Sequence, residues 1–187
     1  MSLRISGGRH RGRVLQVPEG QAIRPTAARV REAAFDILLH GRPASVRPLR
    51  GARVLDAFAG TGALGLEALS RGAAHVTFIE RDRAALALLR ANVERLGEAA
   101  RVDIVAGDAA RPPPPPHPAD IVLLDPPYAA GAAEAALTAL AAAGWIGSGA
   151  VAMAEGASGD PFVPPPGFRL LDERTYGRAA IRFLVRD

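Results

Sequence analysis

Cysteine and lysine are both absent from this chain, and aromatic residues make up only 5% of its 187 positions. Without cysteine, the protein can form neither disulfides nor thiolate metal sites, and it has no cysteine nucleophile. The four histidines show neither metal-site nor triad spacing, so we expect no metal. All 23 basic residues are arginine, which coding bias explains as well as a preference for phosphate does.

Long hydrophobic segments are also missing. The longest apolar stretch, residues 129–146, is mostly alanine and is interrupted by two glycines, a glutamate and a threonine, so it predicts a helix of a soluble domain. The N-terminal residues MSLRISGGRHRGR are charged and lack the apolar core of a secretory signal. We therefore expect a cytoplasmic, monomeric protein without a membrane partner.

The chain does contain enough apolar sequence for one packed domain, since 49% of its residues are hydrophobic. Its net charge of +4 is unevenly distributed, because residues 1–53 carry +8 and residues 54–187 carry −4. We therefore divide the chain into a basic N-terminal extension, 1–51, and a larger domain, 52–187.

In the extension, alternating polar and apolar residues around glycines predict a β-hairpin formed by 3–6 and 13–17. A helix over 27–40, capped by Thr26, is expected to follow it.

From residue 52 onwards, short apolar strands alternate with helices, which predicts an α/β fold whose mostly parallel sheet is covered on both faces. Residues 168–176 and 179–185 predict a terminal β-hairpin, which places an antiparallel strand in or beside that sheet. The other predicted strands are 52–57, 75–80, 101–105, 119–124 and 149–155, and the predicted helices are 63–71, 83–96 and 132–143.

A glycine-rich loop follows the first predicted strand and opens a helix, in the segment VLDAFAGTGALG at 54–65. Glycines let a ligand approach the backbone, and a helix N-terminus offers free N–H groups. Gly60, Gly62 and Gly65 match the dinucleotide fingerprint, and Glu80 ends the second strand, where a ribose-binding acid is expected. The loop alone leaves open a nicotinamide dinucleotide, S-adenosylmethionine, or a turn that serves only packing.

Two aspartates bear on that choice. Asp56 lies four residues before Gly60, where its negative charge would oppose a pyrophosphate but would suit the cationic amine and sulfonium of S-adenosylmethionine. Glu80 would then accept both ribose hydroxyls, and Asp108, which follows the third strand, would accept the adenine amino group. From its local sequence, Asp108 is explained equally well as a turn aspartate.

The tetrapeptide Asp125-Pro126-Pro127-Tyr128 directly follows the apolar strand 119–124. Consecutive prolines remove two N–H donors, so the aspartate and a proline carbonyl can accept both hydrogens of an exocyclic base amine. Tyr128 can stack on the base, which is worth about 1–3 kcal/mol. A proline-stiffened strand exit is the alternative. Ligands of open α/β sheets bind at carboxyl ends where strand order reverses, so donor and amine should meet between the first and fourth strands.

These motifs resemble those of class I S-adenosylmethionine-dependent methyltransferases that modify exocyclic amines. The N-terminal segments 4–8, 11–13, 24–26 and 29–32 further resemble the RsmD family, and the likeness extends over nearly the whole chain, to Tyr176-Gly177. That family methylates the N2 amine of a guanine in 16S rRNA. The resemblance implies a Rossmann-like, seven-stranded, mostly parallel sheet, S-adenosyl-L-methionine as cofactor, and 16S rRNA in the 30S subunit or its assembly intermediate as partner.

The resemblance also implies the residues of the site. It assigns contacts with the target base to Asp125, Pro126 and Tyr128. With Asp56 added from its position, the residues assigned to the cofactor are Phe58, Gly60, Thr61, Gly62, Glu80, Asp108, Arg24 and Thr26.

The basic extension has a physical interpretation of its own. Arginines clustered on a glycine-rich hairpin are typical of a surface that contacts phosphates, although a solvated basic face is the alternative. The residues we assign to RNA are Arg4, Arg9, Arg11, Arg13 and Arg29.

Three other functions share parts of this pattern. An adenine-N6 DNA methyltransferase could share the Asp-Pro-Pro-Tyr motif, although 187 residues leave little room for a domain that reads DNA. A protein-glutamine methyltransferase would use a related motif. A nicotinamide-dependent dehydrogenase could use the glycine loop, but it would leave Asp125 to Tyr128 without a role.

Overall fold

The computed structural model describes residues 2–20, 25–127 and 131–187, with residues 25–27 described by their backbone alone. Its strands are β1 (Arg53–Ala57), β2 (His75–Glu80), β3 (Val102–Ala106), β4 (Ala119–Leu124), β5 (Ile146–Ala157), β6 (Phe168–Tyr176) and β7 (Ala179–Arg186). Its α-helices are α1 (Pro25–His40), α2 (Arg42–Val46), α3 (Ala63–Ser70), α4 (Arg83–Leu96) and α5 (Ala132–Ala142).

The strands form one sheet in the order β3-β2-β1-β4-β5-β7-β6. β1 pairs in parallel with both β2 and β4, so the strand order reverses beside β1, between the first and fourth strands. β7 pairs antiparallel with both β5 and β6. This topology confirms the predicted α/β fold and places the expected antiparallel strand inside the sheet. The carboxyl ends of β1, β2, β3 and β4 consequently share one edge.

The N-terminal region differs from its prediction in three details. The hairpin is reduced to one antiparallel bridge, between Arg4 and Val14, with flanking backbone hydrogen bonds. α1 begins at Pro25, so Thr26 lies in the first turn and does not precede the helix; proline suits that position because its missing N–H has no partner there. The short helix α2 was not predicted.

The extension packs as part of the larger domain. Two apolar clusters form the core, and one of them joins residues of the hairpin and α1 to α3, α4 and the sheet. Leu3, Ile5 and Phe35 are at most 5% exposed within that cluster. The boundary at residue 51 therefore separates regions of different charge, and the two regions share one core.

A buried glutamate fastens the hairpin to α3. Glu67 is fully buried, and its carboxylate accepts hydrogen bonds from the Ser6 N–H and hydroxyl, the Gly7 N–H and the Arg71 Nε at 2.7–2.9 Å. Close contact continues at Gly8, where a Cβ would lie 1.9 Å from the Ser70 carbonyl oxygen. The RISGG segment is therefore held against α3 by specific contacts.

Within the described part of the chain, no helix is long and apolar enough to cross a membrane. The same residues contain no group of three or more histidines and acids arranged to hold a metal ion.

Candidate active site

The loop after β1 turns sharply to meet α3. Phe58 has a φ of 64°, a left-handed conformation that is uncommon for a bulky residue and that often marks functional sites. Gly62, with a φ of 82°, is the N-cap of α3. A Cβ at Gly65 would lie 2.3 Å from the Phe78 ring, so glycine there lets α3 pack closely against β2. The three glycines and Phe58 thus shape a tight strand-to-helix turn.

Asp56 lies beneath this turn. It is 1% exposed, and its Oδ2 accepts a hydrogen bond from the Gly65 N–H at 2.8 Å. Loss of hydration, with further contributions from Asp125 and Glu80, raises its pKa well above the ordinary value. Asp56 thus braces the start of α3 from a buried position, and its contact with the cofactor stays a prediction.

Glu80 ends β2 with its carboxylate held from two sides. Its Oε2 accepts from the Gly60 N–H at 2.7 Å, and its Oε1 accepts from the Arg81 and Asp82 N–H groups at 2.8 Å each. These backbone donors fix the carboxylate beside the glycine loop. A rigid acceptor pair in this position suits two neighbouring hydroxyl donors.

A cavity of about 300 Å³ lies at this edge of the sheet. It brings together residues that follow four different strands, and its lining includes Phe58, Glu80, Asp108, Asp125 and Pro126. Asp108 is oriented by the Ala110 N–H, which donates to its Oδ1 at 2.9 Å. Gly60, Thr61 and Gly62 lie in the adjoining turn and do not line this cavity.

Asp125 opens onto the cavity with its carboxylate unused. Among the described residues, no hydrogen bond or ion pair reaches it, although protein atoms surround it closely enough to raise its pKa through loss of hydration. Pro126 is buried, and Pro126 and Pro127 also border a second, small cavity of about 30 Å³. Tyr128 and Arg24 lie outside the described residues, as does the Thr26 side chain.

Two polar residues at the site were not predicted. Asn92 of α4 is fully buried; its amide donates to the Thr61 and Gln16 carbonyls at 3.0 Å and accepts from the Gln16 N–H at 2.7 Å, joining the extension to the glycine loop. Glu155 of β5 lines the second cavity. Its signal was present in the sequence, because Glu155 follows the apolar run AVAMA just as Glu80 and Asp125 follow theirs.

The arginines assigned to RNA fall into two groups. Arg9 and His10 contact the buried Glu98, and Arg4 donates to the Gly12 carbonyl at 2.9 Å, so these two arginines already have protein partners. Burial and the nearby arginines lower the pKa of His10. The other three arginines assigned to RNA are exposed, and their side chains make no hydrogen bond or ion pair with other described residues. They are Arg11, Arg13 and Arg29.

The sheet order, the glycine loop after β1 and the acid that ends β2 define a class I methyltransferase. A family model described as Conserved hypothetical protein 95 matches residues 3–185. The chain belongs to this family, the RsmD family of methyltransferases.

Individual relatives agree over almost the full length. The ribosomal RNA small subunit methyltransferase D of Escherichia coli K12 is 40% identical over 188 residues, covering 99% of this chain and 90% of the relative. The protein of the same name from Haemophilus influenzae is 34% identical, with 96% and 92% covered. A solved structure of the putative methyltransferase yhhF from Escherichia coli superposes with a TM-score of 0.84 at 37% identity, covering 100% of this chain and 99% of that one.

Proposed function

We propose that this protein transfers a methyl group from S-adenosyl-L-methionine to the exocyclic N2 amine of a guanine in 16S rRNA. The observation that carries the proposal is the single cavity into which Glu80, Asp108 and Asp125-Pro126-Pro127 converge. The names of the relatives, ribosomal RNA small subunit methyltransferases, support rRNA as the substrate.

The described residues fit the proposed cofactor. Glu80, fixed by three backbone N–H groups, would bind the ribose hydroxyls, Asp108 would accept the adenine amine, and Phe58 would pack beside them. The acids that line the cavity favour a cationic ligand over a pyrophosphate. S-adenosylmethionine, when bound, supplies a methyl group already activated by its positively charged sulfur.

The acceptor side of the reaction belongs to Asp125 and the two prolines. The free carboxylate of Asp125 and the Pro126 carbonyl would accept the two hydrogens of the amine and so direct its lone pair towards the donor. Because burial raises the pKa of Asp125, this carboxylate is also a better proton acceptor than an ordinary aspartate when the amine loses its proton. Tyr128 would stack on the base.

The proposed partner is 16S rRNA within the 30S subunit or its assembly intermediate, met in the cytoplasm. Arg11, Arg13 and Arg29, exposed and unpaired among the described residues, would contact its phosphates. The dehydrogenase alternative is disfavoured because it assigns no role to Asp125-Pro126-Pro127. The relatives' names likewise do not favour DNA or protein as the substrate.

The test is methylation of 30S particles from a bacterial strain that lacks its own enzyme of this family, with radiolabelled S-adenosylmethionine and mapping of the modified base. We expect label in one guanine, at N2. Label in adenine, or in protein, would contradict the proposal. Calorimetry should show binding of S-adenosylhomocysteine and none of NADH; the reverse result would favour the dehydrogenase.

A further inference from the structure

Glu155 lies beside Asp125 at the edge of the sheet. Leu124 of β4 pairs with Ala154 of β5, so the next residues along these parallel strands are Asp125 and Glu155, and neighbouring strands lie about 4.8 Å apart. Leu123 and Met153, one position earlier, belong to the same apolar cluster on one face of the sheet. By alternation, the side chains of Asp125 and Glu155 leave the sheet on that face.

The two carboxylates share a lack of partners. No hydrogen bond or ion pair reaches Glu155 from the residues that the structure describes, and the same holds for Asp125. Glu155 is half-buried, whereas Asp125 is exposed, and a half-buried carboxylate without a donor carries a desolvation cost that a ligand's donor groups would relieve. The pair is therefore suited to a ligand that presents two adjacent N–H donors.

Arg182 of β7 lines the same second cavity as Glu155 and is 5% exposed, but its Nε lies 3.3 Å from the Glu173 carboxylate, so its charge already has an acid partner. Its guanidinium lies 4.7 Å from the centre of the Phe162 ring, which lines the same cavity. Pro126 and Pro127 line both cavities, so Glu155 lies next to the prolines of the proposed acceptor site.

We infer that Glu155 is a specificity-determining residue, which selects guanine by accepting the N1–H of the target base while Asp125 accepts the neighbouring N2 amine. This inference rests on the proposed function. Guanine carries N1–H and N2–H donors side by side, whereas adenine has an acceptor at N1, which a carboxylate would repel. A site built around such a hydrogen bond rejects a base that lacks the donor.

The role inferred for Glu155 should make methylation of guanine depend on pH. Burial first, and then the charge of Asp125, raises the pKa of Glu155 to about 7. The other charged groups lining the second cavity are Arg182 from β7, Glu134 from α5 and Asp160 after β5. The ionised form accepts N1–H more strongly than the protonated form, so kcat/KM for guanine should rise as pH increases through about 7. Glu155→Gln should flatten that rise.

The decisive test replaces the target guanine by 2-aminopurine, which keeps the N2 amine but has an acceptor at N1. Small-subunit particles would be reconstituted with 16S rRNA carrying either base at the mapped position. Wild-type protein should prefer guanine by about 10- to 100-fold in kcat/KM, the range expected for a hydrogen bond to a charged group. In Glu155→Gln, whose amide can donate to the N1 of 2-aminopurine, that preference should fall by about 10-fold.

Glu94→Gln is the matched control, since Glu94 is exposed on α4 and lines neither cavity. It should keep the wild-type preference and pH profile. An equal preference in wild type and Glu155→Gln, or equal wild-type turnover of the two bases, would overturn the inference. Because the preference is a ratio within one preparation, partial unfolding of the variant does not affect it. Failure of the wild type to methylate guanine would instead refute the proposed function.

Discussion

Glu67 accepts four hydrogen bonds from the hairpin and α3, whereas Asp125, at the open end of β4, accepts none from the described residues. Both are acids of one domain, but Glu67 is fully buried and Asp125 is exposed. Glu67 lies under the N-terminal hairpin, 0% exposed and near the Arg31 and Arg71 guanidinium groups. A carboxylate whose acceptors are used holds the fold together, and one whose acceptors remain free is available to a ligand. Replacing Glu67 should therefore lower stability, and replacing Asp125 should lower activity.

The largest effect is expected from Glu67→Ala, and it should be on stability. Removing this carboxylate leaves Arg31 buried without its acid, leaves Arg71 with the exposed Asp36 alone, and frees the Ser6 and Gly7 donors. We expect the free energy of unfolding to fall by about 3–5 kcal/mol, measured by denaturant titration. Activity per folded molecule should change little.

Glu94→Ala is the control, because this exposed glutamate should cost no more than about 0.5 kcal/mol. Equal stability of the two variants would show that the hydrogen bonds of Glu67 do not secure the hairpin.

Asp125→Ala should show the opposite pattern. We expect kcat to fall by about 100-fold, within the range for loss of a group that orients a reacting amine, while the affinity for S-adenosylhomocysteine is largely kept. Stability should not fall, because the variant loses a charged group for which the described residues provide no donor. Near-normal turnover, or a large loss of stability, would show that Asp125 has a structural role like that of Glu67.

The difference between Glu67 and Asp125 also explains which acids could be identified from the sequence. Asp125 and Glu80 were identifiable because each follows an apolar strand, and strand ends form the binding edge of a parallel sheet. The reversal of strand order beside β1 was expected from the same rule and is confirmed.

Glu67 could not be identified in this way, because its partners Ser6 and Gly7 lie about 60 residues away in the sequence. The helix α2 was missed because five residues, Arg42–Val46, are too few to show a helical period. The burial of Asp56 could not be predicted for a related reason: alternation along β1 cannot show that the start of α3 covers the strand end and donates the Gly65 N–H.

Asn92 combines features of both kinds of residue. Its amide is fully hydrogen-bonded to the protein, like the Glu67 carboxylate, but one of its partners belongs to the glycine loop. Asn92→Ala removes hydrogen bonds to both Gln16 and Thr61, so we expect a loss of about 1–3 kcal/mol in stability. Because the Thr61 carbonyl anchors the loop, affinity for S-adenosylhomocysteine should also weaken, by about 10-fold if the full energy of one hydrogen bond reaches the site. Calorimetry and denaturant titration separate the two effects. A stability loss without any change in affinity would make Asn92 purely structural.

The smallest effect is expected at the surface of the extension, in the double variant Arg11→Ala and Arg13→Ala. These arginines are exposed, and no other described residue pairs with them, whereas Arg9 is paired with Glu98. Removing them should leave stability and cofactor affinity unchanged but reduce the slope of log K against log salt for rRNA binding by about 0.7–0.9 per lost phosphate contact. The matched control replaces Arg83 and Arg90, exposed on α4, and should keep the wild-type slope. If both double variants flatten the slope equally, RNA senses only the overall charge, and if neither does, these two side chains do not contact phosphates.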